Sequence, residues 1–166
     1  MLRPFAKSDF ELLRLWVTGP ELLFQFSANT FAFPLVYNDI VAYQIANPDR
    51  RFFVASDTEN GDYGFGEIIP QHQSMPRLGR LLIGSPGLRE KGLGKKLIAL
   101  LMAECYKNFQ SGGVQLYVLA DNYSGIYCYL AVGFYFLNAD QQIEHKGVIK
   151  TIKKMQLDFL NNLQVI

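Results

Sequence analysis

The stretch that most constrains this chain is Val114-Gln115-Leu116-Tyr117-Val118-Leu119, a nearly continuous apolar run of strand length that follows an amphipathic segment ended by Gly112-Gly113. A strand this apolar is expected to be covered on both faces, which happens inside a sheet reached through a helical crossover and not at a solvated edge. The preceding segment supplies that helix, because Leu93, Leu97, Leu100, Leu101 and Cys105 fall on one face and the glycine pair stops it. Upstream, Arg51 to Ser56, Tyr63 to Ile69 and Leu78 to Gly84 read as three strands separated by Gly, Asp and Pro, the punctuation of an antiparallel meander.

The remaining elements fit around this frame. Leu2 to Phe5 reads as a short first strand, and Ser8-Asp9-Phe10-Glu11 matches a capping box opening a helix through Leu12, Leu13, Leu15, Trp16 and Val17, which Gly19-Pro20 ends. A second helix is expected from about Asn38. After the apolar run come a short helix from Tyr123 to Ala131, a stop at Gly133, and strands at Phe134 to Leu137 and Lys150 to Phe159. The expected fold is α/β, a mixed and mostly antiparallel central sheet flanked by helices. No repeat or polar linker divides it, so residues 1–166 are read as one domain.

Composition narrows the function. With 49% hydrophobic and 19% charged residues, the chain is expected to build one well-packed core and not a disordered polymer. A formal charge of +1 argues against a dedicated nucleic-acid partner, which needs a concentrated basic surplus. No apolar run approaches the ~18 residues of a membrane span, and Arg3, Lys7, Asp9 and Glu11 interrupt the place where a signal peptide would be apolar. A cytoplasmic protein without a membrane partner is expected. Cys105 and Cys128 show no metal-ligand spacing and read as buried thiols, and His72 and His145 suggest neither zinc nor a catalytic triad.

Charge concentrates locally. Between Arg77 and Lys96 stand six basic residues, Arg77, Arg80, Arg89, Lys91, Lys95 and Lys96, against one acid, Glu90. Within this stretch, Arg89-Glu90-Lys91-Gly92-Leu93-Gly94 leads from a strand into a helix. Glycines there let the backbone approach a ligand, and free N–H groups at the positive end of the helix dipole suit a phosphate or pyrophosphate.

The next motif follows the apolar run: Asn122, then Tyr129 seven residues later, then Gly133-Phe134. Arg-x-x-Gly-x-Gly opening a helix, a strand, and this Asn, Tyr and Gly-Phe series together resemble the GNAT superfamily of acetyl-CoA-dependent N-acetyltransferases, most closely from Leu78 to Leu137. The resemblance implies acetyl-CoA as the acetyl donor. It implies that Arg89, Glu90, Lys91, Gly92, Leu93, Gly94 and Lys95 wrap the pyrophosphate, and that Leu82, Ile83 and Gly84 lie along the pantetheine arm and offer an oxyanion donor. It places Asn122 on the other side of that arm and Tyr129 as the acid for the departing thiolate, in preference to Tyr127, which faces another side of the helix. Two positions depart from the family pattern: Gly125 stands where alanine is common, and Gly84 replaces an aliphatic residue, which would loosen the channel.

The acceptor side is less defined. An arriving ammonium must lose a proton, and Glu67 is the best carboxylate for that role, either as the base or as a carboxylate paired with Arg80. The aromatic stretch holding Phe24, Phe31 and Phe33 is read as one wall for a small-molecule, peptide or protein N-terminal amine, and a homodimer is left open. Two other functions compete: an acyl-CoA sensor without an efficient base, and a nucleotide-binding domain of another type. The latter lacks a GxGxxG turn after the first strand.

Overall fold

A computed structural model describes residues 1–72 and 74–159. The apolar run forms β5 (Gly113–Leu119), which lies parallel to β4 (Arg77–Ile83) and antiparallel to β7 (Val148–Asp158). Three earlier strands, β1 (Leu2–Pro4), β2 (Arg51–Asp57) and β3 (Gly61–Ile69), and the outermost β6 (Tyr135–His145) complete one sheet of order β1-β2-β3-β4-β5-β7-β6. Every pairing except β4 with β5 is antiparallel.

Helices cover both faces. α1 (Phe10–Trp16), α2 (Pro20–Ser27) and α3 (Tyr37–Ala46) lie on one side, over a core of Leu13, Leu23, Ile40, Phe52, Val54 and Phe65. On the other side, α4 (Leu93–Phe109) and α5 (Tyr123–Val132) cover a core that includes Ile68, Leu78, Leu116 and Met155. The crossover helix α4 buries the face its spacing predicts, with Leu97, Leu101 and Cys105 at 1%, 0% and 0% exposure. Fully burying one such leucine contributes about 1.5–3 kcal/mol. In β5, Val114, Leu116 and Val118 pack under α4, whereas Gln115 faces the opposite side and donates to Gln156 at 2.8 Å.

Three expectations need correction. The helix expected to run to Gly19-Pro20 already ends at Trp16, with Val17 as its C-cap, and Pro20 instead starts α2, since its fixed φ and missing N–H suit the first helical position. The aromatic stretch read as a connection is therefore partly helix, and α2 buries Leu23, Phe24 and Phe26. The strand expected at Phe134 to Leu137 continues to His145 and forms a long hairpin with β7 through Lys146-Gly147. Its polar continuation is exposed on both faces at the sheet edge, so it carries no apolar alternation to read. Finally, Ser8 and Glu11 do not form the capping box. Asp9 accepts the Ala6 N–H at 2.7 Å, and Glu11 pairs with Arg14 on the helix surface.

Asp9 also receives both Nη atoms of Arg3, at 2.7 and 2.9 Å, which ties β1 to the start of α1. The Arg3 hydrogen bonds hold the Asp9 carboxyl below its ordinary range. A depressed carboxyl contributes stability above its unfolded value, near ~3.9, and that contribution is lost as pH falls through the lower folded value. Asp9→Asn should destabilise the fold by about 1–3 kcal/mol at neutral pH and flatten the acid limb below about pH 4. Denaturant unfolding across that range checks both effects, and an unchanged acid limb would remove Asp9 from the linkage.

Candidate functional site

The site begins where two strands part. β4 and β5 are in register only at Arg77 with Gln115 and Leu78 with Leu116. Just beyond, Arg80 adopts φ 49°, and a bulge sets Phe65 opposite Leu82 but Glu67 opposite Gly79. The extra residue reverses which way the side chains point. Leu78 enters the core under α4, while Leu82, four positions on, enters the core under α1 to α3. A cavity of about 830 Å³ opens between the diverging strands, lined by Leu81, Leu82 and Ile83 on one side and Tyr117, Val118 and Leu119 on the other.

At one mouth stands the start of α4. Gly92 is its N-cap with φ 78°, and neither a capping side chain nor an acidic residue serves the first turn. The first N–H groups of a helix have no intrahelical acceptor, so this positive pole remains available to an anion. Nothing lies within 4 Å of a side chain built at Gly92, so the left-handed backbone and not crowding calls for glycine there. Arg89, Glu90, Gly92, Gly94 and Lys95 line the cavity. Lys91 is exposed, Leu93 is buried in the core, and Lys96 turns to Asp57 at 3.8 Å. A β-carbon at Gly94 would meet Cys128 Sγ at 3.1 Å, which brings α5 close against α4.

Gly84 does not open a channel. The Trp16 indole fills the space beside it, 2.5 Å from where a β-carbon would stand. Asn122 lines the cavity and also caps α5, its Oδ1 accepting the Gly125 N–H at 3.0 Å. That amide explains Gly125, where a β-carbon would come within 2.7 Å of it. Tyr129 lines the same cavity and packs edge-on against Phe134. Its hydroxyl makes no hydrogen bond among the described residues, and burial pushes the phenol well above its ordinary range.

The residues expected on the acceptor side divide. Phe24 lines the cavity, but Phe31 lies under Arg80 and Tyr43, and Phe33 is exposed away from it. Glu67 is sealed at 0% exposure, paired with Arg80 and accepting the Tyr43 hydroxyl at 2.7 Å. The alternative in which it pairs with Arg80 is thus the arrangement found. Burial pushes its carboxyl up, against the pull of Arg80. The sequence reading placed Arg77 and Arg80 in one patch with the helix start. Instead they line the cavity on the face of α1 to α3 together with Tyr117 and Gln141. Strand alternation turns Arg77 away from the face of Leu78, and the bulge turns Arg80, which alternation alone would set beside Leu78, to that same opposite face.

Cys128 is half-buried and borders the cavity, in contrast to the buried thiol expected. Cys105 is 0% exposed, and burial pushes its thiol up to about 12. N-ethylmaleimide should therefore modify Cys128 before Cys105, and acetyl-CoA, whose sulfur is blocked as a thioester, should slow that reaction at least several-fold. Peptide mass spectrometry reads both sites, and equal modification with and without acetyl-CoA would separate Cys128 from the ligand path.

No protein-family model and no curated protein sequence matches the chain. Solved structures do. The spermidine N-acetyltransferase of Vibrio cholerae in complex with CoA and spermine superposes with a TM-score of 0.76 at 17% identity, covering 95% of this chain and 94% of that one. The spermidine/spermine N-acetyltransferase SpeG of the same organism, with manganese ions, gives a TM-score of 0.70 at 17% identity, covering 98% and 96%. A domain from Methanocaldococcus jannaschii gives 0.68 at 19% identity, covering 95% and 97%. Residues 1–72 and 74–159 thus build the GNAT fold, the architecture of the N-acetyltransferases that the sequence resembles.

Proposed function

We propose that this chain transfers an acetyl group from acetyl-CoA to the nitrogen of an amine. One observation carries the reading: the uncapped N-terminus of α4 and the side of α5 that holds Tyr129 line the same cavity between the parted strands. The glycine-rich turn and Arg89 and Lys95 fit a diphosphate. The gap between β4 and β5 fits an extended arm, whose amides would pair with strand backbone. The solved structure with CoA and spermine is that of an enzyme with this architecture.

The chemistry follows from these positions. The amine nitrogen attacks the thioester carbonyl carbon, and negative charge grows on the carbonyl oxygen. A backbone N–H of Leu82 or Ile83 is the donor for that charge, since that of Gly84 already donates to the Tyr63 carbonyl at 2.9 Å, and such a donor is typically worth ~3 kcal/mol of barrier. The carbonyl re-forms as the carbon–sulfur bond breaks and the thiolate departs, the surplus proton of the nitrogen passes to solvent to leave the amide, and Tyr129 is reprotonated from solvent. Because burial raises the phenol of Tyr129, its proton is held more tightly than in water. It acts chiefly by donating a hydrogen bond to the sulfur, with full transfer as the thiolate leaves.

Glu67 is excluded from the base role by its ion pair and its full burial. Glu90, at the coenzyme mouth, is the sole carboxylate among the described lining residues, and no histidine joins it. The ammonium proton therefore leaves to solvent before attack. This feature also favours a second reading, a binding module that holds acyl-CoA and turns it over slowly.

Thiol release with a panel of amines separates the two readings, since turnover well above hydrolysis supports the enzyme. Tyr129→Phe should lower kcat about 100-fold and leave acetyl-CoA affinity nearly unchanged. Unaltered kcat would remove Tyr129 from the reaction. The pH profile of kcat/KM should rise with slope one and level off at the pKa of each acceptor amine. A plateau at one fixed pH for every acceptor would instead reveal an enzymic base.

A further inference from the structure

The acceptor end of the cavity carries positive charge that the coenzyme end does not explain. Arg77 and Arg80 line it, and Arg50 stands behind them, its Nη1 on the Tyr43 hydroxyl. Among the described residues no carboxylate lines the cavity beside Arg77 and Arg80, and Glu67 next to it is committed to Arg80 and Tyr43. Arg80 Nε is buried and has no hydrogen-bond partner, although Nη2 reaches Thr30 Oγ1 at 3.1 Å. Arg77 has no carboxylate within ion-pair distance among the described residues. Its guanidinium stacks over the Tyr117 ring at 4.8 Å, and Lys154 stands 5.8 Å from the same ring. Desolvation holds Arg77 below the ordinary guanidinium range, as expected of a cation short of counter-charge.

A wall of this kind repels a polyamine, whose second ammonium would meet Arg77 with no acid to receive it. It suits an anion, because a guanidinium grips a carboxylate through two parallel N–H bonds and holds it in one orientation. Arg77 faces the same side of the sheet as Tyr117 and Gln141, across the parted strands from Tyr129. We propose that the acceptor is an amine bearing its own carboxylate, of the free amino acid class, and that Arg77 binds that carboxylate so that the amine points toward the gap between β4 and β5. This rests on the acetyl-transfer reading above and names the substrate class of that same site.

Matched acceptors test it: leucine against isopentylamine, phenylalanine against phenethylamine, and spermidine, each with acetyl-CoA. Amino acids should exceed their decarboxylated partners at least 10-fold in kcat/KM, and spermidine should be poorest. Arg77→Gln should cost the amino acids about 10-fold to 100-fold, mainly through KM, and leave the plain amines and the KM for acetyl-CoA nearly unchanged. Preference for spermidine or for the decarboxylated amines overturns the proposal while acetyl transfer stands. An equal loss on both members of each pair also overturns it, since that marks a structural role for Arg77 over Tyr117. If no acceptor turns over, binding of N-acetyl-leucine to the coenzyme A complex decides: weaker binding to Arg77→Gln supports the proposal and equal binding overturns it. Absence of acetyl-CoA binding in calorimetry would defeat the acetyl-transfer reading and this inference together.

Discussion

Two strands that begin paired and then separate define this molecule. Parallel β4 and β5 share two registered positions before the bulge at Arg80 turns one away from the other. The bulge costs something, since a non-glycine residue in left-handed backbone is disfavoured by about 1–2 kcal/mol. Arg80 is held there by Glu67, a carboxylate at 0% exposure, and by the rings of Phe31 and Tyr43. Removing either partner would leave an uncompensated buried charge, typically a loss of 3–5 kcal/mol. The same reversal lets β4 feed both cores, with Leu78 under α4 and Leu82 under α1 to α3.

Around that gap the two ends carry similar charge for different reasons. At the α4 end the positive pole comes from unpaired backbone N–H groups, assisted by Arg89 and Lys95. At the other end it comes from side chains, Arg77 and Arg80, crowded against aromatic rings and a single carboxylate. Between them the lining is apolar, with Leu81, Leu82, Ile83 and Val118. Such a channel suits a ligand with an anionic head and an extended, weakly polar arm that meets a second, acidic molecule. Tyr129 enters it as a phenol that burial keeps protonated.

Much of this was legible in the residues. The apolar run of β5, the leucine spacing of α4 and the glycine turn before it announce the crossover, because each pattern follows directly from burial or from backbone geometry. What escaped did so for identifiable reasons. Pro20 can be read as the end of one helix or the start of the next, and here it is the start. The outer half of β6 is polar on both faces and shows no periodicity. At the bulge an arginine and not a glycine takes the left-handed backbone, so no residue type marks the position. Counting charge along the chain merged Arg77 and Arg80 with the helix start, whereas strand alternation sends Arg77, and the bulge sends Arg80, to the face of the sheet opposite Leu78. Of the expected acceptor wall only Phe24 lines the cavity, since packing among aromatic rings took Phe31 into the core.

Backbone amide exchange with and without coenzyme A probes the central claim most directly, because it reports on the very N–H groups thought to hold the ligand. Slowed exchange at residues 82–83 and 92–95, with β1 and β2 unaffected, is the expected pattern. Exchange unchanged at the start of α4, or slowing confined to some other part of the sheet, would contradict a diphosphate seated there and an acyl arm lying between β4 and β5.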